Sequence, residues 1–233
     1  MATGNKPFPQ MHRVAGFKLG TTSAGIKTPG RSDLVVMELQ PGSAVAGVFT
    51  QNAFCAAPVV VAKQHLSSAA PRYLVTNTGN ANAGTGEQGM IDAQASCIAL
   101  AELQGVSTDQ VLPFSTGVIG EPLPIEKLLA ALPAAVAALD ENTWASAAEG
   151  ILTTDTRPKG ASMQYQPDSA TDKLITSTGI TKGSGMIKPN MATMLGYVAT
   201  DAQVDSELLQ RALRLVANKS FNRITVDSDT STN

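Results

Sequence analysis

The sequence predicts a mixed α/β, or α+β, fold in which helices cover the faces of β-sheets. Three observations carry that prediction. Short runs rich in β-branched residues recur along the chain, helix-like stretches alternate with them, and glycine or proline punctuates the junctions. With 233 residues, 43% hydrophobic and 15% charged, the chain can bury a sizeable core as one large domain or two small ones.

The strand-like runs are 34–39, 45–50, 59–62, 73–76 and 111–114, followed by 174–178, 194–198 and 223–226. Helical patterns lie between them. Residues 89–103 read as a helix ended by Gly105, and 124–139 as an alanine-rich helix that Pro133 should divide or kink. A third spans 143–151, capped by Asn142 or Thr143. The fourth, 205–217, has a broad apolar face built from Leu208, Leu209, Ala212, Leu213, Leu215 and Val216. No internal repeat and no low-complexity linker interrupts the series.

A formal charge of −2 supplies no electrostatic footprint for nucleic acid or an anionic membrane, so small metabolites are the expected partners. No apolar run reaches the roughly 18 residues of a membrane span, and the longest, 130–139, contains Pro133. The opening MATGNKPFPQ lacks the apolar core of a secretory signal, which predicts a cytoplasmic protein. Cys55 and Cys97, expected to be small buried hydrophobes, stand far from His12 and His65, so no metal-ligand spacing appears. Neither histidine lies near a motif that would make it a triad base.

Gly84, Gly86 and Gly89 fit the GxGxxG pattern ahead of a helix. A dinucleotide site needs the glycines directly at a strand end, with an acidic residue about 20 positions on at the end of the next strand. Here NTGNANA intervenes, and Asp109 precedes the next strand, so the triplet reads as a glycine-rich turn into a helix.

The segment from Lys182 to Leu195, KGSGMIKPNMATML, has the ingredients of a self-cleaving chain. In an N to O acyl shift the threonine hydroxyl attacks the preceding carbonyl, and the resulting ester is hydrolysed. Ala192 leaves that carbonyl open to Thr193, Gly183 and Gly185 permit unusual backbone conformations, and Pro189 biases Lys188 away from helix. The freed α-amine, with a reference pKa of roughly 7.7–8.0, can serve as base for its own hydroxyl. On these residues alone, Thr193 could equally be a β-branched strand residue after a glycine turn. A Walker loop does not fit, because Lys182 precedes the glycines instead of following them.

The same segment resembles the autocleavage region of the arginine-biosynthesis ornithine acetyltransferases, also called glutamate N-acetyltransferases. Collinear matches are AGFKLGTTSAGIK from Ala15, VFTQNAFCAAPV from Val48, NTGNANAGTG from Asn77 and STGVIGEPLP from Ser115. They continue with TTDTRPK from Thr153 and SFNRITVDSDTSTN from Ser220. The resemblance covers nearly all of the chain beyond its first ten residues.

It implies an N-terminal-nucleophile-like aminopeptidase/ornithine acetyltransferase fold, with cleavage between Ala192 and Thr193. Residues 1–192 would form an α-chain region and 193–233 the start of a β-chain region. Thr193 would carry the acetyl group from N-acetylornithine to glutamate by a ping-pong route. Thr116 and Gly117 would form the oxyanion site, and Thr156, Lys182 and Thr193 would bind substrate. No cofactor or metal is implied, although some members also accept acetyl-CoA, and the assembled protein would be a heterotetramer of two α and two β chains.

Two rival expectations stand beside it. An amidohydrolase or aminopeptidase could use the same nucleophile. Alternatively, the chain could be an inactive fragment, because family precursors continue past the DSDTSTN run and their second chain completes the substrate site. Arg157 and Lys159 could be a solvated surface pair, whereas the resemblance assigns their segment to the substrate pocket, and Ser228 stands where many members have glycine.

Overall fold

The computed structural model describes residues 7–167, 174–188 and 194–233. In chain order its elements are β1 (Phe17–Thr22), β2 (Leu34–Leu39), α1 (Ala57–Ser68), β3 (Tyr73–Asn80), α2 (Gly86–Gln104) and β4 (Val111–Val118). There follow α3 (Ile125–Ala137), α4 (Trp144–Gly150), β5 (Lys159–Tyr165), β6 (Ile175–Lys182), β7 (Leu195–Thr200) and α5 (Ser206–Lys219).

Two sheets result. The first has the order β1-β2-β3-β4, antiparallel except for the parallel pair β3–β4 that α2 connects. The second is an antiparallel β5-β6-β7 sheet. The near-continuous apolar run LVVMEL makes β2 a strand covered on both sides. Leu34 and Val36 join Val75 and Val111 against Cys97 and Leu100 of α2 and Leu128 and Leu132 of α3. On the other face Val35, Met37, Leu74 and Leu112 meet Trp144 and Ala147 of α4 and Ile151 at its C-terminal cap, together with Ile180 and Tyr197 of the second sheet. The layers are therefore helices, first sheet, then α4 and the second sheet. Each fully buried aliphatic side chain in these layers contributes about 1.5–3 kcal/mol of transfer free energy.

A polar pin joins the two sheets. The Tyr197 hydroxyl lies 2.9 Å from Thr76 Oγ1, both groups being buried, and Phe114 meets the Tyr197 ring edge-on at 5.5 Å.

Several local expectations hold. Gly105 ends α2 in the left-handed conformation, φ +64°, and returns its N–H to Ala101 and Glu102 carbonyls. The fourth expected helix forms as α5, and Asp205 caps it by accepting from the Glu207 and Leu208 amides.

Others are corrected. Residues 59–62 are not a strand but the first half of α1. Pro58 starts that helix, and burial of Val59, Val61 and Ala62 outweighs the β-preference of the valines. Residues 45–50 form no strand, and 223–226 contribute only a 3-10 turn and one bridge from Val226 to Ile187. Helix α3 runs undivided through Pro133. Neither expected cap serves α4: the Thr143 hydroxyl bonds the Leu19 and Asp140 carbonyls, and the Asn142 amide bonds Asp140. Cys97 is buried as expected, and burial pushes its thiol up to about 12; Cys55 is only partly buried. Among the described residues no helix is long and apolar enough to cross a membrane.

Candidate functional site

The site lies where the C-terminal ends of β4 and β6 meet. At the end of β4, the β3–β4 register shifts at Gly79/Asn80, beside Thr116 and Gly117. Gly117 has φ +145°, and a Cβ there would sit 2.3 Å from the Gly79 carbonyl carbon and 2.4 Å from the Asn80 nitrogen. Only glycine fits that approach.

Behind Thr116, buried amides brace the strand end. Ser115 Oγ donates to Asn77 Oδ1 at 2.6 Å, Asn77 Nδ2 donates to the Asn80 carbonyl, and Asn80 Nδ2 reaches the Glu121 and Pro122 carbonyls. The 230–233 segment docks on the same brace. Asn233 Nδ2 donates to the Ala81 carbonyl at 2.8 Å and the Ser115 carbonyl at 2.9 Å. Thr50 Oγ1 and Asn52 Nδ2 donate to the Ser231 carbonyl, and the Ala56 amide donates to that of Thr232.

Lys182, the last residue of β6, reaches across to this strand end. It is 4% exposed, and its Nζ donates to Thr116 Oγ1 at 2.7 Å and to Thr153 Oγ1 at 3.1 Å. Burial lowers its pKa to about 8; the Asp155 carboxylate works against that shift, and the Lys159 ammonium adds to it.

The Asp155 side chain is fully buried. One of its oxygens takes the Lys159 ammonium and, at 2.9 Å, the Gly183 N–H, while Lys159 also donates to the Gly183 carbonyl at 3.1 Å. Its other oxygen, Oδ2, is buried with no hydrogen-bond partner among the described residues. Burial works to raise the Asp155 carboxyl, but the hydrogen bonds from Lys159 and Gly183 and the charges of Lys159 and Lys182 hold it below the ordinary carboxylate range.

The glycine segment after Lys182 is tied to the chain near residue 226. Ile187 and Val226 exchange backbone hydrogen bonds of 3.0 and 2.7 Å, and the Met186 N–H donates to Asp227 at 2.7 Å. Asp227 and Ser228 both adopt left-handed φ, +61° and +62°.

The structure thus brings Thr116, Gly117 and Lys182 together. Thr156 is exposed on the connection between α4 and β5, next to Asp155. Ala192 and Thr193 lie outside the described residues, although Leu195, two positions on, is the register partner of Lys182. Thr153, Asp155 and Asn233 belong to the cluster and were not singled out from sequence. The DxxxK spacing of Asp155 and Lys159 suggests an ion pair on a helix, but here it spans a bend and a strand start. Lys159 is accordingly not a free surface cation.

His65 Nδ1 lies 2.7 Å from the Val111 carbonyl, a structural contact away from the cluster. Gly86 opens α2 after a turn, as expected for the glycine triplet. Among the described residues, no three of His, Cys, Asp and Glu gather in a metal-binding arrangement.

A family model described as the ArgJ family matches residues 18–233. The arginine biosynthesis bifunctional protein ArgJ of Pseudomonas fluorescens (strain Pf0-1) is 63% identical over 100% of this chain, which covers 56% of that protein. The protein of the same name from Methylococcus capsulatus is 57% identical over 94% of this chain and 53% of its own length. The chain therefore spans about half the length of the curated relatives it matches. Two crystal structures share the fold at 32% identity. Bacillus halodurans arginine biosynthesis bifunctional protein ArgJ has a TM-score of 0.68 over 77% of this chain and 92% of that one. Mycobacterium tuberculosis ornithine acetyltransferase in complex with ornithine has a TM-score of 0.65 over 80% and 94%.

Proposed function

This chain belongs to the ArgJ family, and from that premise we propose that it carries the acetyl-transfer machinery of a glutamate N-acetyltransferase. Self-cleavage between Ala192 and Thr193 separates an α-chain region, 1–192, from a β-chain region that begins at Thr193. The β7–β6 pairing and the anchoring of 230–233 on Ala81 and Ser115 would keep the two pieces together without the peptide bond.

In the first half-reaction the Thr193 hydroxyl attacks the acetyl carbonyl of N-acetylornithine and gives its proton to the new α-amine. The C–N bond then breaks, the amine returns the proton to the leaving nitrogen, and ornithine departs. In the second, the glutamate amine attacks the acetyl-threonine ester, the C–O bond breaks, and the proton released by glutamate restores the hydroxyl. Both tetrahedral intermediates place negative charge on the former carbonyl oxygen. Thr116 Oγ and the Gly117 N–H are its donors, and each such donor is worth about 2.7–4 kcal/mol. Lys182 and Thr156 bind the amino-acid substrates, an ammonium being suited to a carboxylate.

The observation that carries this reading is the convergence of Thr116, Gly117 and the buried Lys182 at the meeting of two strand ends. No cofactor is invoked, and acetyl-CoA is a further donor that some members use. The whole protein is proposed as a cytoplasmic heterotetramer of two α and two β chains.

An N-acetylornithine-to-glutamate transfer assay, combined with mass spectrometry of the products, tests the proposal. Thr193→Ala should abolish both cleavage and transfer. Release of free acetate, or cleavage of peptides without transfer, would favour the hydrolase alternative.

A further inference from the structure

The hydrogen bond that Lys182 sends across the two sheets has only one direction while its amine is charged. An ammonium has three donors and no acceptor, so Thr116 Oγ1 must accept at 2.7 Å, and Thr153 Oγ1 accepts at 3.1 Å. The hydrogen of the Thr116 hydroxyl is thereby turned away from Lys182. A neutral amine exposes a lone pair, to which that hydroxyl could rotate and donate instead.

We propose that Lys182 is a positioning residue whose ammonium fixes the Thr116 hydroxyl as a donor toward the bound acyl group, with the Asp155 carboxylate, which accepts the N–H of the adjacent Gly183, as its counter-charge. The proposal rests on the oxyanion reading of Thr116 and Gly117. It assigns Lys182 work beyond holding a substrate carboxylate, and it gives the fully buried Asp155 a part in the reaction.

The charged groups that bear on Lys182 are Asp155, on the connection before β5, and Lys159, at the start of β5. From β4 it meets the Thr116 hydroxyl, and from β7 its register partner Leu195. The two charged neighbours act in opposite senses: the carboxylate favours the ammonium and the second lysine opposes it. Because coupling between two groups is reciprocal, a Thr116 that Lys182 orients must in turn stabilise the charged form of Lys182.

Lysine-selective 15N NMR reads the Lys182 Nζ titration directly and does not depend on turnover. The proposal expects the titration to move to lower pH in Thr116→Val and in Asp155→Asn, and to higher pH in Lys159→Met. In transfer-competent protein, kcat should fall as pH rises through the Lys182 titration, and that limb should follow the NMR shift in the Asp155 and Lys159 variants. A Lys182 that only fills space or only binds substrate would leave the kcat limb in place while KM changes, and an unmoved titration in Thr116→Val would mean that the hydrogen bond between them does not depend on the charge of Lys182. Either result overturns the proposal. Thr116→Val separates it from the reading beneath it. A variant with wild-type kcat removes the oxyanion role itself. A loss of about 100-fold or more in kcat with an unmoved Lys182 titration keeps that role and removes the positioning.

Discussion

The two sheets of this molecule differ in how much of them is covered. The first is enclosed on both sides, with Leu34, Val35, Val36 and Met37 of β2 all at 0% exposure. The second turns only one side inward, so Ile180 and Tyr197 are buried while Met163, Tyr165 and Val198 are exposed. Helix α5 continues that contrast. Its only buried residue is Ala217, whereas Leu208, Leu215 and Val216 stand exposed; helix α2 encloses Cys97, Leu100 and Ala101.

The difference teaches where a reactive site can be built. The enclosed sheet supplies a rigid strand end, β4, whose buried amide network holds Thr116 and Gly117. The half-covered sheet supplies Lys182, which enters the seam from β6. A charge can be kept there because hydroxyls and a carboxylate surround it, whereas the apolar layers of the enclosed sheet would neutralise it.

The largest effect is expected in the enclosed part, where Leu100→Ala should destabilise the protein by about 2–5 kcal/mol in urea titrations. Its counterpart Leu215→Gln on α5 should fall within about 0.5 kcal/mol. Similar losses at the two positions would refute the difference in burial.

Tyr197→Phe tests the seam itself. It removes the hydrogen bond to buried Thr76 and should cost about 1–3 kcal/mol, because one hydroxyl is left unpaired. A neutral result would mean that the pin between the sheets carries no energy.

The smallest effect concerns the chain near the glycine segment. Ser228 adopts φ +62°, a conformation that disfavours any side chain by about 1–2 kcal/mol. Ser228→Gly should therefore raise stability by up to about 1 kcal/mol, since the added backbone freedom of the unfolded chain offsets part of the relief. A loss of stability would show that the serine side chain is wanted there.

The enclosed sheet was also the more legible from sequence. Apolar continuity marks β2, β3 and β4, and Gly105 marks a helix end by its own stereochemistry. Elements fixed by tertiary burial were harder to read. The valines of α1 carry a strand signal that packing overrides, and β1 and β5 mix glycine, lysine, serine and threonine without a clear period.

The site divides in the same way. Thr116, Gly117 and Lys182 were named through family motifs, not through any property of a lone threonine or lysine. The partners that give Lys182 its chemistry were not legible. Asp155 and Lys159 have helix-like spacing on a segment that is not a helix, and Asn233 reaches Ser115 across 118 positions of chain. The Asn233 contact exists only once distant parts of the chain have met.

The account's central claim is that Thr193 becomes an N-terminal nucleophile that carries the acetyl group. The most direct measurement is mass spectrometry of the protein after incubation with N-acetylornithine in the absence of glutamate. The account predicts a chain beginning at Thr193 that bears one acetyl group, which disappears when glutamate is added. A protein that transfers acetyl at full rate while its Ala192–Thr193 bond stays intact and Thr193 stays unmodified would contradict it.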